Sequence, residues 1–153
     1  MITPVTRMID CHIVCRNNNK IKYLILKRSP NKIYPNIWQC VTGKIKDNEK
    51  AYQTAIREVH EETKLNAIKL WTVEHVNLFF EAQKNKMNLI PVFGMEVNTT
   101  SVILSDEHTD YIWCDINLAN EKILWNQQKI GLLTFHNMLQ GTKEKLSFSE
   151  ISL

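Results

Sequence analysis

Two long strand-forming runs restrict this chain's fold more than any other feature. They are Ala67–Ala82 and Met87–Val97, and only Gln83-Lys84-Asn85-Lys86 separates them. A polar tetrapeptide between two β-prone runs reads as a turn, so the pair is expected to fold back on itself. Pro91 cannot donate to a ladder, so the second run is expected to lie at a sheet edge or to carry a bulge. An isolated hairpin is only marginally stable in water, so other elements must complete the sheet and cover it.

Upstream, Val5–Cys15 and Ile21–Lys27 are strand-like and flank Asn17-Asn18-Asn19. Asparagine tolerates left-handed backbone angles, which marks that junction as a turn. A loop carrying Ser29-Pro30-Asn31 and Pro35-Asn36 leads to a short apolar run, Ile37–Val41. Downstream, a polar loop, Thr99–Asp110, precedes a short strand, Tyr111–Cys114. Between these strands the period changes. From Lys50 to Lys64, the residues Tyr52, Ala55, Ile56, Val59 and Thr63 recur at helical spacing and form one apolar stripe. A second helix is expected over Ile130–Leu139. Strands on both sides of a helix, with another helix at the end, predict an α/β fold in which helices sandwich a mixed sheet.

The 153 residues read as a single domain, with no internal repeat or linker. A chain of this length buries roughly 70% of its unfolded surface and needs no disulfides to fold. The four cysteines show no C-x-x-C spacing and are expected to be buried free thiols. No apolar run approaches the roughly 18 residues of a membrane span, and Met1-Ile-Thr-Pro does not open a secretory signal, so a cytoplasmic, membrane-free protein is expected. The net charge is +3, with basic residues scattered along the chain. That distribution argues against a nucleic-acid partner and is compatible with a small polyanionic substrate.

The chemistry is concentrated in Arg57-Glu58-Val59-His60-Glu61-Glu62. At 100° per residue, Glu58, Glu61 and Glu62 fall within an arc of roughly 100° that borders the apolar stripe. Like charges at these spacings destabilise a helix, and acids in its last turn oppose the helix dipole. Local rules broken twice at one place mark a functional site. A divalent cation with hard oxygen ligands, such as Mg²⁺, would relieve the repulsion. The alternative is a solvated face in which Arg57 neutralises Glu61.

The surrounding residues weigh against the solvated face. Gly43 is followed by Glu49, then Arg57-Glu58, Val59, Glu61-Glu62 and Leu65. This resembles the Nudix box, G-x5-E-x7-R-E-U-x-E-E-x-G-U, with U aliphatic. Six fixed positions match by chance at a frequency of order 10⁻⁷ to 10⁻⁸ per window. One departure is Lys64, where the box has glycine. A non-glycine residue in a left-handed cap costs roughly 1 kcal/mol, but the substitution removes no carboxylate.

The resemblance implies a Nudix-type α/β/α sandwich over residues 1–153. It also implies a hydrolase of nucleoside diphosphates linked to another moiety, dependent on Mg²⁺ or Mn²⁺. Carried over residue by residue, Glu58, Glu61 and Glu62 would bind metal, Arg57 and Glu49 would pair, and Gly43 would allow a close approach to metal or phosphate. A further acid outside the box is expected from Ser105-Asp106-Glu107-His108. Glu107 is the first candidate, as metal ligand or general base, and Asp106 the second. His108 is expected to hydrogen-bond rather than to bind a hard metal.

Two segments resemble one branch of the family. Trp38-Gln39-Cys40-Val41-Thr42-Gly43 and Ser105–Trp113 look like the dihydroneopterin triphosphate pyrophosphohydrolases, which also hydrolyse dATP. That branch implies cleavage of a pterin or nucleoside triphosphate to the monophosphate and pyrophosphate. ADP-ribose, nucleotide sugars, diadenosine polyphosphates and oxidised dNTPs are alternative substrates, and a silent nucleotide-binding module is the alternative function. The complete set of box acids argues against a silent module. Trp38, Tyr34 and Phe79 are candidates to stack on a ring. Arg7, Lys27 and Arg28 are candidates to meet phosphates. A homodimer is left open.

Overall fold

A computed structural model describes residues 1–153. In chain order the strands are β1 (Pro4–Val5), β2 (Met8–Asn17), β3 (Lys20–Arg28), β4 (Trp38–Gln39), β5 (Val41–Lys44), β6 (Lys69–Glu81), β7 (Lys86–Val97), β8 (His108–Cys114) and β9 (Glu150–Ile151). The helices are α1 (Ala51–Thr63), α2 (Ile116–Lys122), α3 (Asn126–Gln140) and α4 (Lys143–Ser147). All nine strands join one mixed sheet, in which β2 runs parallel to β7 and antiparallel to β3.

The sheet opens at the place that matters for function. β2 and β3 pair along Ile13–Asn17 and Lys20–Leu24 and then splay apart. β4 continues the ladder on β3, and β5 continues it on β2. The Trp38–Lys44 segment is thereby wedged between two diverging strands, which carries Gln39 and Gly43 into the sheet.

The two-residue period of β2 divides the core into two layers. Ile9, Cys11, Ile13 and Cys15 pack with Ala55, Val59 and Leu65 on the α1 side. Val14 packs with Trp71, Val73, Leu132 and Phe135 on the α3 side. Gly94 permits that second layer to close, because a Cβ there would lie 2.3 Å from Cε1 of Phe135. All four cysteines are buried and free. No helix is long and apolar enough to cross a membrane.

Three expectations need correction. β7 is an interior strand, not an edge, since it pairs with β6 on one side and with β1 and β2 on the other. Its proline is accommodated because Pro91 falls between the end of the β1 ladder at Asn88 and the start of the β2 ladder at Val92. The expected irregularity is present on the partner strand, where the register shifts between Thr72 and Val76 opposite Pro91. Second, β8 begins at His108 rather than Tyr111, because polar residues at a sheet edge hide its first turn of ladder. Third, the helix expected over Ile130–Leu139 is α3 and starts at Asn126, and β1, α2, α4 and β9 had no clear periodic signal. The Asn turn is as expected, with Asn18 and Asn19 at φ 49° and 65°.

Candidate active site

The site begins at the loop entering α1. Arg57 donates from Nε to Glu49 at 2.7 Å and from Nη2 to Glu49 at 3.1 Å. Its Nη2 also reaches the Lys44 carbonyl at 2.9 Å, and Nη1 reaches Glu58 at 2.7 Å and Glu61 at 3.2 Å. One planar guanidinium thus ties the helix to the end of β5 and to the loop, using its fixed fork of donors. Glu49 also accepts from the Lys46 backbone N–H at 2.9 Å. The hydrogen bond from Arg57, then that from Lys46, hold the Glu49 carboxyl down at about 2.

Gly43 faces this helix. A Cβ on Gly43 would lie 2.2 Å from Cγ of Glu58, so what the glycine admits is the Glu58 side chain itself. Burial pushes the Glu58 carboxyl up, and Arg57 offsets part of that rise. Glu61 stands at the rim with its side chain half exposed.

Glu62 has different surroundings. It is 3% exposed and accepts from Ser105 Oγ at 2.8 Å. Nδ1 of His108 lies 2.9 Å from the same carboxylate oxygen. Nε2 of His108 lies 3.2 Å from Gln39 Nε2, an amide donor, so the ring proton sits on Nδ1 and points at Glu62. Burial alone would push the Glu62 carboxyl up, but the hydrogen bonds from His108 and Ser105 outweigh it and hold the group below its ordinary value. The loop bearing these residues also caps the helix, because Ser105 and Ile103 donate backbone N–H groups to the last carbonyls, Glu62 at 3.2 Å and Thr63 at 3.0 Å. Lys64 closes α1 in the left-handed conformation at φ 63°, where the box has glycine.

Glu107 comes to this carboxylate and Asp106 does not. Burial, the charge of Glu62 and a hydrogen bond shared with it all push the Glu107 carboxyl up. The Asp106 carbonyl instead accepts from Ser29 Oγ at 2.7 Å, and the Glu107 carbonyl from the Ser29 N–H at 2.9 Å, which clasps the loop to the end of β3.

The expected substrate contacts are scattered. The Arg7 side chain bonds Glu81 at 2.8 Å and Asn88 at 3.2 Å, and touches no box residue. Arg28 Nε holds the Ile33 carbonyl at 2.5 Å, stiffening its own loop. Tyr34 meets Trp125 edge-on at 5.2 Å, and Trp38 lies under Lys122 at 5.5 Å. Phe79 stands exposed on the far part of the β6–β7 hairpin.

A second buried polar group lies on the opposite face of β2. Asp10 and His12 are buried on the α3 side, with Asn77 and Asn88 close by on the hairpin. Asn77 donates to Asp10. His12 Nε2, Asn77 Oδ1 and Arg7 Nε have no hydrogen-bond partner. The available signal was the placement of Asp10 and His12 at alternate positions inside an otherwise apolar strand. Gln39 and Ser105 lie in the two segments that resemble the triphosphate branch, but their local sequence does not show that they support Glu62.

The donor set of Glu58, Glu61, Glu62 and Glu107 is all carboxylate oxygen, which suits Mg²⁺ or Mn²⁺ rather than a softer ion. In this arrangement no three acidic or imidazole side chains converge on one point, because Arg57 bridges Glu58 and Glu61 while Glu62 turns to Ser105 and His108. The fit of the group rests on donor chemistry and on buried, mutually repelling carboxyls that a cation would relieve.

An acid-lined helix thus packs against a glycine-bearing strand, with a loop acid folded back on it. The chain belongs to the NUDIX domain family, whose model matches residues 6–134. It is 31% identical over 102 residues to an asymmetrical bis(5'-nucleosyl)-tetraphosphatase of Caenorhabditis elegans, covering 65% of this chain and 72% of that protein. It is 26% identical over 123 residues to an octanoyltransferase of Myxococcus xanthus, of whose length the match covers 34%. Among solved structures it resembles a C. elegans Ap4A hydrolase binary complex, with a TM-score of 0.74, 26% identity and coverage of 90% of this chain and 100% of that one. The E. coli dihydroneopterin triphosphate pyrophosphohydrolase shares the fold, with a TM-score of 0.67, 22% identity and coverage of 84% and 92%. The protein is therefore a Nudix hydrolase.

Proposed function

We propose that this hydrolase cleaves a pterin or nucleoside triphosphate, of the dihydroneopterin triphosphate or dATP kind, to the monophosphate and pyrophosphate. The observation that carries this reading is the contact chain Gln39–His108–Glu62. Its first two residues come from the two segments that resemble the triphosphate branch, and they meet on a box acid. Glu58, Glu61, Glu62 and Glu107 would hold a divalent cation, which when bound neutralises phosphate oxygens and lowers the pKa of water. Arg57 and Glu49 position the acid-bearing helix. His108 and Ser105 keep Glu62 ionised and oriented. Glu107, pushed up by burial and by Glu62, would either complete that ligand set or, standing clear of the cation, take a proton from the attacking water.

A second reading is the asymmetric hydrolysis of diadenosine tetraphosphate. It is favoured by the C. elegans relative and by the Ap4A hydrolase structure. The Mg²⁺-dependent turnover of dATP, dihydroneopterin triphosphate, diadenosine tetraphosphate and ADP-ribose separates the two readings. We expect pyrophosphate release from the triphosphates to show the highest kcat/KM, and excess chelator to abolish it. Highest efficiency with diadenosine tetraphosphate would replace the first reading by the second. Full turnover in chelator would overturn the metal role.

A further inference from the structure

The loop between β3 and β4 is tied to the acid site at both ends. At its start Ser29 clasps the carbonyls of Asp106 and Glu107. At its end Gln39 meets His108, which donates to Glu62. Its stem is closed by the Arg28 N–H on the Ile37 carbonyl at 2.8 Å and by the Asn36 N–H on the Arg28 carbonyl at 3.0 Å. Lys32 stands in this loop, and its charge reaches Glu107, where it opposes the rise that burial causes.

Tyr34 is held in the same loop against its own preference. Of the seven non-glycine residues at positive φ, five are asparagines, which tolerate that region, and Lys64 closes a helix. Tyr34, at φ 53°, is the one aromatic among them. Such a backbone persists only where its surroundings fix it, and it gathers at ligand clamps. Here it turns the ring onto Trp125, edge-on at 5.2 Å with 83° between the planes. Trp125 is brought there by β4, since Trp38 bridges to Ile123 and its carbonyl accepts from the Leu124 N–H at 3.2 Å. The aromatic pair Trp71–Phe135 is buried and serves the core, but Tyr34 and Trp125 are 56% and 38% exposed. Two perpendicular rings make a corner in which a third can stack on one and meet the other edge-on, the two arrangements that aromatic rings prefer. Trp38 is occupied elsewhere, with Lys122 over its ring at 5.5 Å.

We propose that the Tyr34–Trp125 corner binds the purine or pterin ring of the substrate, and that Lys32 meets the phosphate chain attached to it. This rests on the proposed function, in which the acids act on a phosphate chain that bears such a ring. Lys32 is two residues from Tyr34, at most about 7 Å along an extended chain, and it is within charge range of Glu107. A ligand with its ring in the corner therefore lays its phosphates past the lysine toward the acids. An apolar partner gains nothing from that cation, whereas a ring joined to a polyanion is held at both ends. Stacking tolerates any base, so the corner selects for the presence of a ring and not for one particular ring.

The test is ligand-observed NMR with dAMP and with 2-deoxyribose 5-phosphate, titrated into the full chain in excess chelator so that turnover does not enter. Tyr34→Asn removes the ring and keeps a residue that tolerates the left-handed backbone. Trp125→Ala removes the other wall. We expect dAMP to bind the wild type more tightly than the ringless phosphate, with saturation transferred to its adenine protons. Either variant should weaken dAMP by about 5–100-fold, the range for loss of one base–aromatic stack, with an unchanged circular dichroism spectrum and little effect on the ringless phosphate. Tyr34→Phe and Trp125→Phe keep a ring and should retain wild-type affinity. Lys32→Gln should weaken both ligands alike, and Phe148→Asn, at an exposed aromatic beyond α4, should weaken neither. With dATP and Mg²⁺, Tyr34→Asn and Trp125→Ala should raise KM more than they lower kcat. A wild type that binds dAMP no better than the ringless phosphate would overturn the proposal. So would dAMP affinity that survives both ring deletions, or an equal loss of both ligands on deleting either ring. If the wild type hydrolyses no triphosphate and yet dAMP binding falls with either ring, the corner stands and the triphosphate reading alone fails.

Discussion

On the α1 face of the sheet, Arg57 binds Glu49, Glu58 and Glu61, and Glu62 accepts bonds from Ser105 and His108. On the α3 face, Asp10 and His12 lie equally deep, yet His12 Nε2 and Asn77 Oδ1 bond to nothing. Asp10 has Asn77 as its side-chain donor, and burial pushes its carboxyl up to about 7 despite that bond. Burial also takes His12 down to about 3. The contrast separates two ways of keeping polar groups in a small protein. Partners near each carboxylate fix its position and its charge, which suits electrostatic work on a phosphate chain. Buried groups without partners cost roughly 1–3 kcal/mol each and tie stability to pH.

Four substitutions test that contrast, in order of expected effect. Glu62→Gln should lower kcat by about two to three orders of magnitude, as loss of a charged stabiliser commonly does, while circular dichroism shows an intact fold. The amide oxygen still accepts from Ser105 and His108, so the fold is spared and only the charge is lost. Near-normal kcat would mean that the most deeply buried carboxylate of α1 is structural.

Gly43→Ala comes next. The added methyl group must displace the Glu58 side chain, which can rotate outward while the strand stays in place. A loss of about 10–100-fold in activity is expected, similar to that for a disturbed supporting contact at a metal site. Steady-state kinetics checks it, and unchanged activity would detach Glu58 from the chemistry.

Asp10→Asn tests the other face through pH. The carboxyl is raised from 3.8 to about 7 in the folded chain, so the unfolded chain loses its proton first as pH rises. Wild-type stability is therefore lost progressively between about pH 4 and pH 7, by an upper limit of roughly 4 kcal/mol, and is flat above that window. The variant removes this penalty, and its amide can also donate to the orphaned Asn77 Oδ1. The gain in Tm over wild type should be larger at pH 8 than at pH 4. A gain that does not change with pH would show that Asp10 is not neutralised by burial.

Lys64→Gly has the smallest effect. The left-handed cap strains a side chain but not a glycine, so urea denaturation should show a gain of about 1 kcal/mol or less. Activity should not move, because Lys64 touches no carboxylate of the site.

Much of the α1 face was legible in advance. The 3.6-residue period placed Tyr52, Ala55 and Val59 on the core, and the same period fixed Glu58, Glu61 and Glu62 on one arc. Arg57 lies four residues from Glu61 and eight from Glu49, so that network is nearly local. The contribution of Glu107 was harder to read, because it depends on a loop that reaches Glu62 from 45 residues along the chain. Arg7, Tyr34, Trp38 and Phe79 were chosen for side-chain type alone. The fold gives Arg7 to Glu81, Tyr34 to Trp125 and Trp38 to Lys122, and leaves Phe79 in the open.

The interior position of β7 was decided by pairing between β2 and β7, 82 residues apart at Asp10 and Val92. No local pattern encodes such a ladder, since a proline is tolerated wherever neighbouring ladders leave a gap. The sequence by itself determined the strand and helix periods, the acidic arc and the family to which they belong, because these rest on spacings of two to eight residues. Only the tertiary structure decided that Glu62 is held by Gln39 through His108, that Gly43 makes room for Glu58, and that Tyr34 meets Trp125. Those features depend on which distant segments meet, and that is set by burial of the whole sheet rather than by any one stretch of chain.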